Sequence, residues 1–369
     1  MRRVRYIDLS AQFREEQAEL MPRIEQVLAS GVVIGGPEID ALETELAAYC
    51  GVAHAVALNS GSDALALGMT VAGVKPGDEV ITPPNSFVAS TSSITRIGAV
   101  PVFADVRDDE LLDPAAVEAS ITPRTVAIMP VHLRGAVCDM DALWRIARRH
   151  NLLIIEDAAQ AMGTSYRGSR TGTLGTVGCF SAHPLKNFNA AGDAGFLTTG
   201  SREAAERARR LRNSGLKDRD TVVEWGVISR MDALQAAILR LRLRRLDGVI
   251  ARRRANTATY RELLADLPLW LPHEPPDEFH TYHNFVVQCD TRDALQSALA
   301  ESGIEAFVHY ARPIHWQPAA KELGYREGQF PVTERLSRRI LSLPIHQFLS
   351  AEDLHYVGSG IRRFFTERS

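Results

Sequence analysis

Two short segments of the sequence carry side chains that could perform chemistry. Residues 152–160 read LLIIEDAAQ, so an apolar strand ends at Asp157, and Gln160 follows three positions later. A second short strand at 178–181 leads into a loop that holds Lys186 among apolar and small neighbours. Such surroundings can lower the pKa of an amine and let lysine act as a nucleophile. The alternatives are a helix N-cap for Asp157 and a solvated charge for Lys186.

A third segment, AVALNSGSDALALGM at 55–69, predicts a strand, a tight turn and a helix. Gly61 permits the turn, and the backbone N–H groups of the helix start, together with the hydroxyl of Ser62, form an anion site. The alternative is plain helix capping by Ser60 or Ser62. The segment fits neither the P-loop nor the dinucleotide-binding fingerprint.

A mainly parallel sheet covered by helices on both faces is the element pattern that would position these groups. Short apolar runs alternate with helical stretches, which is typical of this α/β fold class. Side chains at the carboxyl ends of its strands meet at one edge. The predicted strands are 55–58, 79–82, 101–106, 126–131, 152–156, 178–181 and 195–199, with helices at 62–73, 114–120 and 139–150.

An anion cradle, an acid and a candidate nucleophilic lysine at one sheet edge are the set that pyridoxal phosphate (PLP) requires. Its phosphate needs the cradle, its pyridine nitrogen needs an acid, and its aldehyde needs a lysine. The flat ring also favours an aromatic platform, for which Phe87 in the loop after strand 79–82 is the candidate. The alternative for Phe87 is ordinary core packing.

Two domains are expected from the length of 369 residues. We predict a large domain over 1–247, including helices at 15–29, 38–50 and 232–247, and a smaller α+β domain over 248–369. The small domain should contain strands at 284–288 and 303–308, a helix at 291–302 and a C-terminal helix. The Arg-rich stretch 240–254 could bind phosphate or nucleic acid, but a solvated face or a subunit contact is favoured because the net charge is −3.

The composition excludes several classes of protein. No apolar run is long enough to cross a membrane, and the N-terminus lacks a signal-peptide pattern, so we expect a cytoplasmic protein. The four cysteines are widely spaced and are interpreted as reduced, buried thiols. The eleven histidines form no metal-binding motif, so no metal is predicted. The acidic net charge gives no support to nucleic-acid binding.

The sequence resembles the DegT/StrS family of PLP-dependent sugar aminotransferases, which have the aspartate-aminotransferase fold (fold type I). The resemblance spans nearly the whole chain. It rests on IDLSAQF (7–13), NSGSDAL (59–65), GDEVITPPNSFVAS (77–90), IEDAAQAMG (155–163), SAHPLKNFNAAGDAG (181–195), SRMDALQAAIL (229–239) and LPIHQFLSAEDL (343–354).

The resemblance assigns roles to individual positions. Lys186 matches the lysine that holds PLP as a Schiff base, and Asp157 matches the acid at the pyridine nitrogen. Gln160 matches the residue near the ring hydroxyl, and Phe87 the aromatic stacked on the ring. Gly61, Ser62 and Ser181 match the phosphate binders, while His183, Tyr310 and His315 are candidates for the substrate side.

Two departures from the family pattern stand out. Val227 and Ile228 occupy the positions of a usual Tyr-Asn pair, whose Asn reaches the cofactor phosphate of the neighbouring subunit, and Ile228 cannot donate a hydrogen bond. His183 replaces the usual aromatic before the proline of the lysine loop. It could face the substrate or make a structural hydrogen bond.

The resemblance implies transfer of an amino group from glutamate or glutamine to a keto-sugar, with pyridoxamine phosphate as the intermediate cofactor form. The sugar is expected to be a nucleotide-linked or phosphorylated hexose, and the enzyme a homodimer with its site at the subunit interface. The alternatives are a cyclitol ketone as acceptor, and a PLP-binding, non-catalytic regulatory relative. Related sugar dehydratases have His at the lysine position, so Lys186 argues for transamination.

Overall fold

A computed structural model describes residues 2–367, and over this range the chain forms twelve β-strands and eleven α-helices. The strands are β1 (His54–Leu58), β2 (Glu79–Thr82), β3 (Val100–Phe103), β4 (Thr125–Ile128), β5 (Leu153–Asp157), β6 (Ser165–Tyr166), β7 (Ser169–Arg170), β8 (Val177–Ser181), β9 (Gly195–Thr199), β10 (Glu278–Phe279), β11 (Phe285–Gln288) and β12 (Ile340–Leu343). The helices are α1 (Leu9–Ser30), α2 (Pro37–Cys50), α3 (Gly61–Ala72), α4 (Ala89–Arg96), α5 (Pro114–Ala119), α6 (Met140–His150), α7 (Arg202–Leu211), α8 (Ala233–Leu264), α9 (Arg292–Glu301), α10 (Pro331–Arg339) and α11 (Ala351–Thr366).

The large sheet has seven strands in the order β1, β9, β8, β5, β4, β2, β3. Only β9 runs antiparallel to its neighbours, and the other adjacent pairs are parallel. The seven predicted strands are all present in this sheet, which confirms the α/β fold class. Because six strands point the same way, the ends of β1, β5 and β8 meet at one edge.

Two apolar layers enclose this sheet. One packs α2 and α8 against it through Leu46, Phe196 and Leu239, and the other packs α3 and α7 through Leu65 and Leu197. Each of these five side chains is at most 2% exposed. Apolar burial on both faces explains why the strands read as continuous apolar runs rather than as alternating patterns.

Helix α8 is much longer than the sequence pattern predicted. The expected helix over 232–247 continues without a break to Leu264, and several of its arginines pair with acids of the same chain. Arg240 contacts Glu38 and Glu45, and Arg242 contacts Glu16. These pairs disfavour a free anion-binding patch. The proposed boundary at residue 248 lies inside this helix, so the division into two domains stays a prediction.

The C-terminal part forms a separate apolar cluster around β11, β12, α9 and α11. The prediction of a strand over 303–308 was wrong. This segment makes only single bridges, from Ile304 to Val4 and from Phe307 to Ser342, because Gly303 turns the backbone at φ +75°. The partner that does pair with β11 is β12, which the sequence pattern did not reveal.

Other sequence expectations concern single residue types. All four cysteines are buried and free, as predicted. Among residues 2–367, no cluster of His, Cys, Asp and Glu could hold a metal ion. No helix in this range has the length and apolar character that crossing a membrane requires.

Candidate active site

A cavity of about 750 Å³ opens at the carboxyl ends of β1, β5 and β8. Its volume is within the usual range for sites that bind small molecules. Nine of the ten predicted site residues line it, namely Gly61, Ser62, Phe87, Asp157, Gln160, Ser181, His183, Lys186 and Tyr310. The sheet topology therefore brings together side chains that lie up to 249 positions apart (310 minus 61) in the sequence.

Lys186 lies in the loop that follows β8. Its backbone N–H donates to the carbonyl of His183 at 2.9 Å, and the Asn189 side chain donates to the carbonyl of Pro184 at 2.7 Å. These bonds fix the loop so that the Lys186 amine faces the cavity. The pKa of this amine is lowered to about 8, mainly by burial; the Asp157 carboxylate opposes this effect, and the charge of Arg134 adds to it.

This lowered pKa predicts how fast the cofactor-free protein captures PLP. A protonated amine cannot attack an aldehyde, so the capture rate should rise with pH, with a midpoint near pH 8, and level off above it. Stopped-flow absorbance after mixing with PLP measures this rate. A midpoint near the ordinary lysine value of 10.5 would contradict the assignment.

Asp157 is the last residue of β5 and is 4% exposed. The Ser90 hydroxyl donates to one carboxylate oxygen at 2.7 Å, and the backbone N–H of Ala159 donates to the other at 3.2 Å. Burial raises the pKa of Asp157, whereas these hydrogen bonds and the Lys186 charge lower it. Residues 158–160 form a turn and not a helix, so Asp157 is not an N-cap.

Glu156, the residue before Asp157, anchors the end of β5 to the segment that precedes β8. Glu156 is fully buried and accepts backbone N–H bonds from Gly172, Leu174 and Gly175 at 2.7–2.9 Å. It also contacts the ring of His132 at 3.1 Å. This role of Glu156 was not predicted from the sequence. A Glu inside an apolar run is nevertheless a signal, because a buried carboxylate needs hydrogen-bond partners.

The anion cradle lies at the start of α3. Ser60 is the N-cap, since its hydroxyl accepts the N–H of Asp63 at 3.1 Å, and the hydroxyl of Ser62 is therefore not the cap. A Cβ atom on Gly61 would lie 2.7 Å from the Cβ of Ser181, so only glycine allows this approach. The same closeness brings Ser62, Ser181 and the helix N-terminus around one small volume.

Phe87, Gln160 and Tyr310 form one wall of the cavity. Phe87 is 54% exposed, and its ring centre lies 5.8 Å from that of Tyr310. The Gln160 amide donates to the Tyr310 hydroxyl at 3.4 Å and accepts the backbone N–H of Arg134 at 2.8 Å. An exposed phenyl ring at a cavity is free to stack on a flat ligand, which core packing would prevent.

The predicted substrate-side histidines have different positions. His183 is exposed at the cavity, and its Nδ1 accepts the N–H of Leu185 at 3.3 Å. His315 does not line the cavity within the described residues. It is buried against Phe330 and contacts Glu334 at 3.1 Å, because a short 3-10 turn at Ile314–Trp316 directs it into an apolar cluster.

Several lining residues were missed by sequence reasoning. His309 faces the cavity with Nδ1 3.0 Å from the Ser342 hydroxyl, and His283, Asn284 and Arg253 line the same side. Burial lowers the pKa of His309 to about 4, so this ring stays neutral. Their contacts join segments far apart in the chain, and no local motif marks them.

These residues fit PLP on the chemistry of the donor set. Lys186 would hold its aldehyde, Asp157 its pyridine nitrogen, and Gly61, Ser62 and Ser181 its phosphate, with Phe87 against the ring. When bound, PLP supplies an aldehyde that bonds to amines and a ring that accepts electrons. The glycine at 61, which a side chain would close, is the observation that best supports a phosphate cradle.

Comparison with known proteins agrees with this chemistry. The sequence profile of the DegT/DnrJ/EryC1/StrS aminotransferase family matches residues 14–362. The chain is 44% identical to the erythromycin biosynthesis sensory transduction protein EryC1 of Saccharopolyspora erythraea, over 96% of this chain and 97% of that protein. It is also 44% identical to a dTDP-3-amino-3,4,6-trideoxy-alpha-D-glucose transaminase of Streptomyces venezuelae, over 98% and 96%.

Solved structures show the same fold. DesV of S. venezuelae, determined with a ketimine intermediate, superposes with a TM-score of 0.97 at 44% identity and 99% coverage of both chains. NtdA of Bacillus subtilis with bound pyridoxamine phosphate gives a TM-score of 0.93 at 30% identity, over 99% of this chain and 86% of that one. The chain therefore belongs to the DegT/DnrJ/EryC1/StrS family of PLP-dependent aminotransferases.

Proposed function

We propose that this aminotransferase moves an amino group from glutamate or glutamine to a nucleotide-linked keto-hexose in amino-sugar biosynthesis. The observation that carries the proposal is the presence of Lys186 and Asp157 in one cavity. The relative from S. venezuelae is named for a dTDP-linked amino sugar, which supports this acceptor class. A cyclitol ketone is the alternative acceptor.

The chain's own groups account for the proton transfers. When it is not bonded to PLP, the Nζ atom of Lys186 would be free in the cavity to take the donor's α-proton and to return it to the ligand. A lowered pKa near 8 suits an amine that must alternate between base and acid near neutral pH. Asp157, held by Ser90, keeps a positive charge on the nitrogen that it faces.

The acceptor is tested with a panel of ketones offered to the pyridoxamine form of the enzyme. The panel contains dTDP- and UDP-linked keto-hexoses, the free keto-sugars and a keto-inositol. We expect the PLP absorbance to return only with nucleotide-linked sugars, and mass spectrometry to detect the aminated product. Return of the PLP absorbance with keto-inositol alone would favour a cyclitol acceptor. No return of the absorbance with any ketone would favour a non-catalytic relative.

A homodimer is part of this proposal. The segment 213–230 carries exposed apolar side chains, with Trp225 93% exposed, Ile228 70% and Val223 51%. Contiguous exposed apolar groups of this kind favour burial against another protein surface. We expect sedimentation to give the mass of a dimer, and Trp225→Ser to weaken it. A fully active monomer would contradict this part of the proposal.

A further inference from the structure

Arg134 has an unusual combination of burial and incomplete bonding. Its side chain is 6% exposed, and Glu110 binds it through Nε at 3.3 Å and Nη2 at 2.8 Å. The third nitrogen, Nη1, is buried without a hydrogen-bond partner in the described part of the chain. Burying a charged donor without an acceptor costs free energy of folding, and a ligand that supplies an acceptor to Nη1 would remove that cost.

The backbone around this pair is held in an uncommon conformation. Arg134 has φ +65° and Glu110 has φ +68°, both in the left-handed region that side chains rarely adopt. The Gln160 side chain accepts the backbone N–H of Arg134, and the backbone N–H of Asn284 donates to the Arg134 carbonyl at 3.2 Å. Gln160 and Asn284 both line the main cavity, so the cavity wall itself fixes the arginine.

The guanidinium lies immediately behind that wall. Its Cζ atom is 5.8 Å from the centre of the Tyr310 ring, which lines the main cavity. Arg134 also lines an adjoining cavity of about 310 Å³, which shares Asn284 with the main one. Tyr310 thus contacts both the main cavity and the Arg134 guanidinium.

We propose that Arg134 determines donor specificity by binding the α-carboxylate of the amino donor through Nη1, with the Tyr310 ring turned aside. This inference rests on the proposed function. The donor amine must reach the position that the Lys186 amine occupies, and the α-carboxylate is attached to the same carbon. In this proposal the α-carboxylate lies against the wall of Gln160 and Tyr310, next to which Arg134 is buried.

Arg253 lines the main cavity and is the competing cation, and its buried Nε also has no hydrogen-bond partner within the range that the structure describes. Its Nη1 already donates to the carbonyls of Tyr282 at 3.1 Å and His283 at 3.2 Å. Those bonds tie α8 to the segment before β11. Arg134 in contrast has a carboxylate that orients two nitrogens and leaves the third for a ligand.

The test uses a paired substitution, because removing Arg134 alone would leave Glu110 buried without a cation and could unfold the protein. Arg134→Asn with Glu110→Gln removes both charges, and Asn tolerates a positive φ. Arg107→Asn is the matched control, since Arg107 lines the adjoining cavity and pairs with Asp109. The holoenzyme is mixed with L-glutamate, L-glutamine or L-isoglutamine, which has an amide in place of the α-carboxylate.

We expect the paired variant to lose about 10- to 100-fold in kcat/KM of the donor half-reaction with glutamate and glutamine. Its slow rate with isoglutamine should match that of the wild type, and Arg107→Asn should change none of the three rates. Equal losses with all three donors, a loss with glutamate alone, or no loss would each overturn the proposal.

A binding measurement separates this inference from the proposed function. Calorimetry should show that 2-oxoglutarate, which also bears an α-carboxylate, binds the paired variant at least about 10-fold more weakly than the wild type. Equal affinity, or no binding to either protein, would contradict the role of Arg134. Failure of every keto-sugar in the acceptor panel would leave this donor-side result unaffected.

Discussion

Replacing Lys186 by Ala should lower the turnover number by about 10⁴-fold or more, because one amine both holds the cofactor and moves the proton. Only Lys186 among the chain's four lysines lines the described cavity, so no other lysine can take over. Steady-state turnover and the absorbance of the PLP-loaded protein measure the loss.

Lys75→Ala is the control for this substitution, since Lys75 is exposed and lies outside the cavity. It should keep wild-type turnover and absorbance. Circular dichroism of both variants should show the native fold, because the hydrogen bond that fixes the loop at Lys186 is made by its backbone N–H. Normal turnover by Lys186→Ala would refute the assignment.

Asp157→Asn should lower the turnover number by about 10²- to 10³-fold while leaving PLP bound. The amide has the same shape and can still bond to Ser90 and Ala159, but it carries no negative charge to keep the facing nitrogen protonated. The effect should therefore appear in kcat, with a smaller change in KM for the donor.

Ser90→Ala is the matched control for Asp157→Asn. It removes the 2.7 Å hydrogen bond to the carboxylate and keeps the charge, so turnover should fall by about 10-fold or less. If Ser90→Ala lowered turnover as severely as Asp157→Asn, the position of the carboxylate rather than its charge would be the decisive factor. That result would contradict the role given to Asp157.

The sequence predicted the large sheet and most of the cavity because both depend on local patterns. Each buried strand is an apolar run, and each functional group follows a strand end: Gly61 after β1, Asp157 at the end of β5, and Lys186 after β8. Parallel strands bring their carboxyl ends together, so the meeting of these groups at one edge followed from the alternation of strands and helices.

Features that depend on long-range contacts could not be predicted in this way. His315 is in the chain where a substrate-side histidine was expected, but packing against Phe330 turns it away from the cavity, and His309 faces it instead. Arg134 was overlooked because its pairing with Glu110 joins residues 24 positions apart. The pairing of β11 with β12 likewise joins segments that are far apart in the sequence, and no local pattern revealed it.

The Lys186 amine should form the covalent link to PLP. Borohydride reduction of the PLP-loaded protein, followed by proteolysis and mass spectrometry, locates that link. With only four lysines, at 75, 186, 217 and 321, each candidate falls on a distinct peptide. We expect the reduced pyridoxyl group on Lys186. Finding it on Lys75, Lys217 or Lys321, or on none of the lysines, would contradict this assignment.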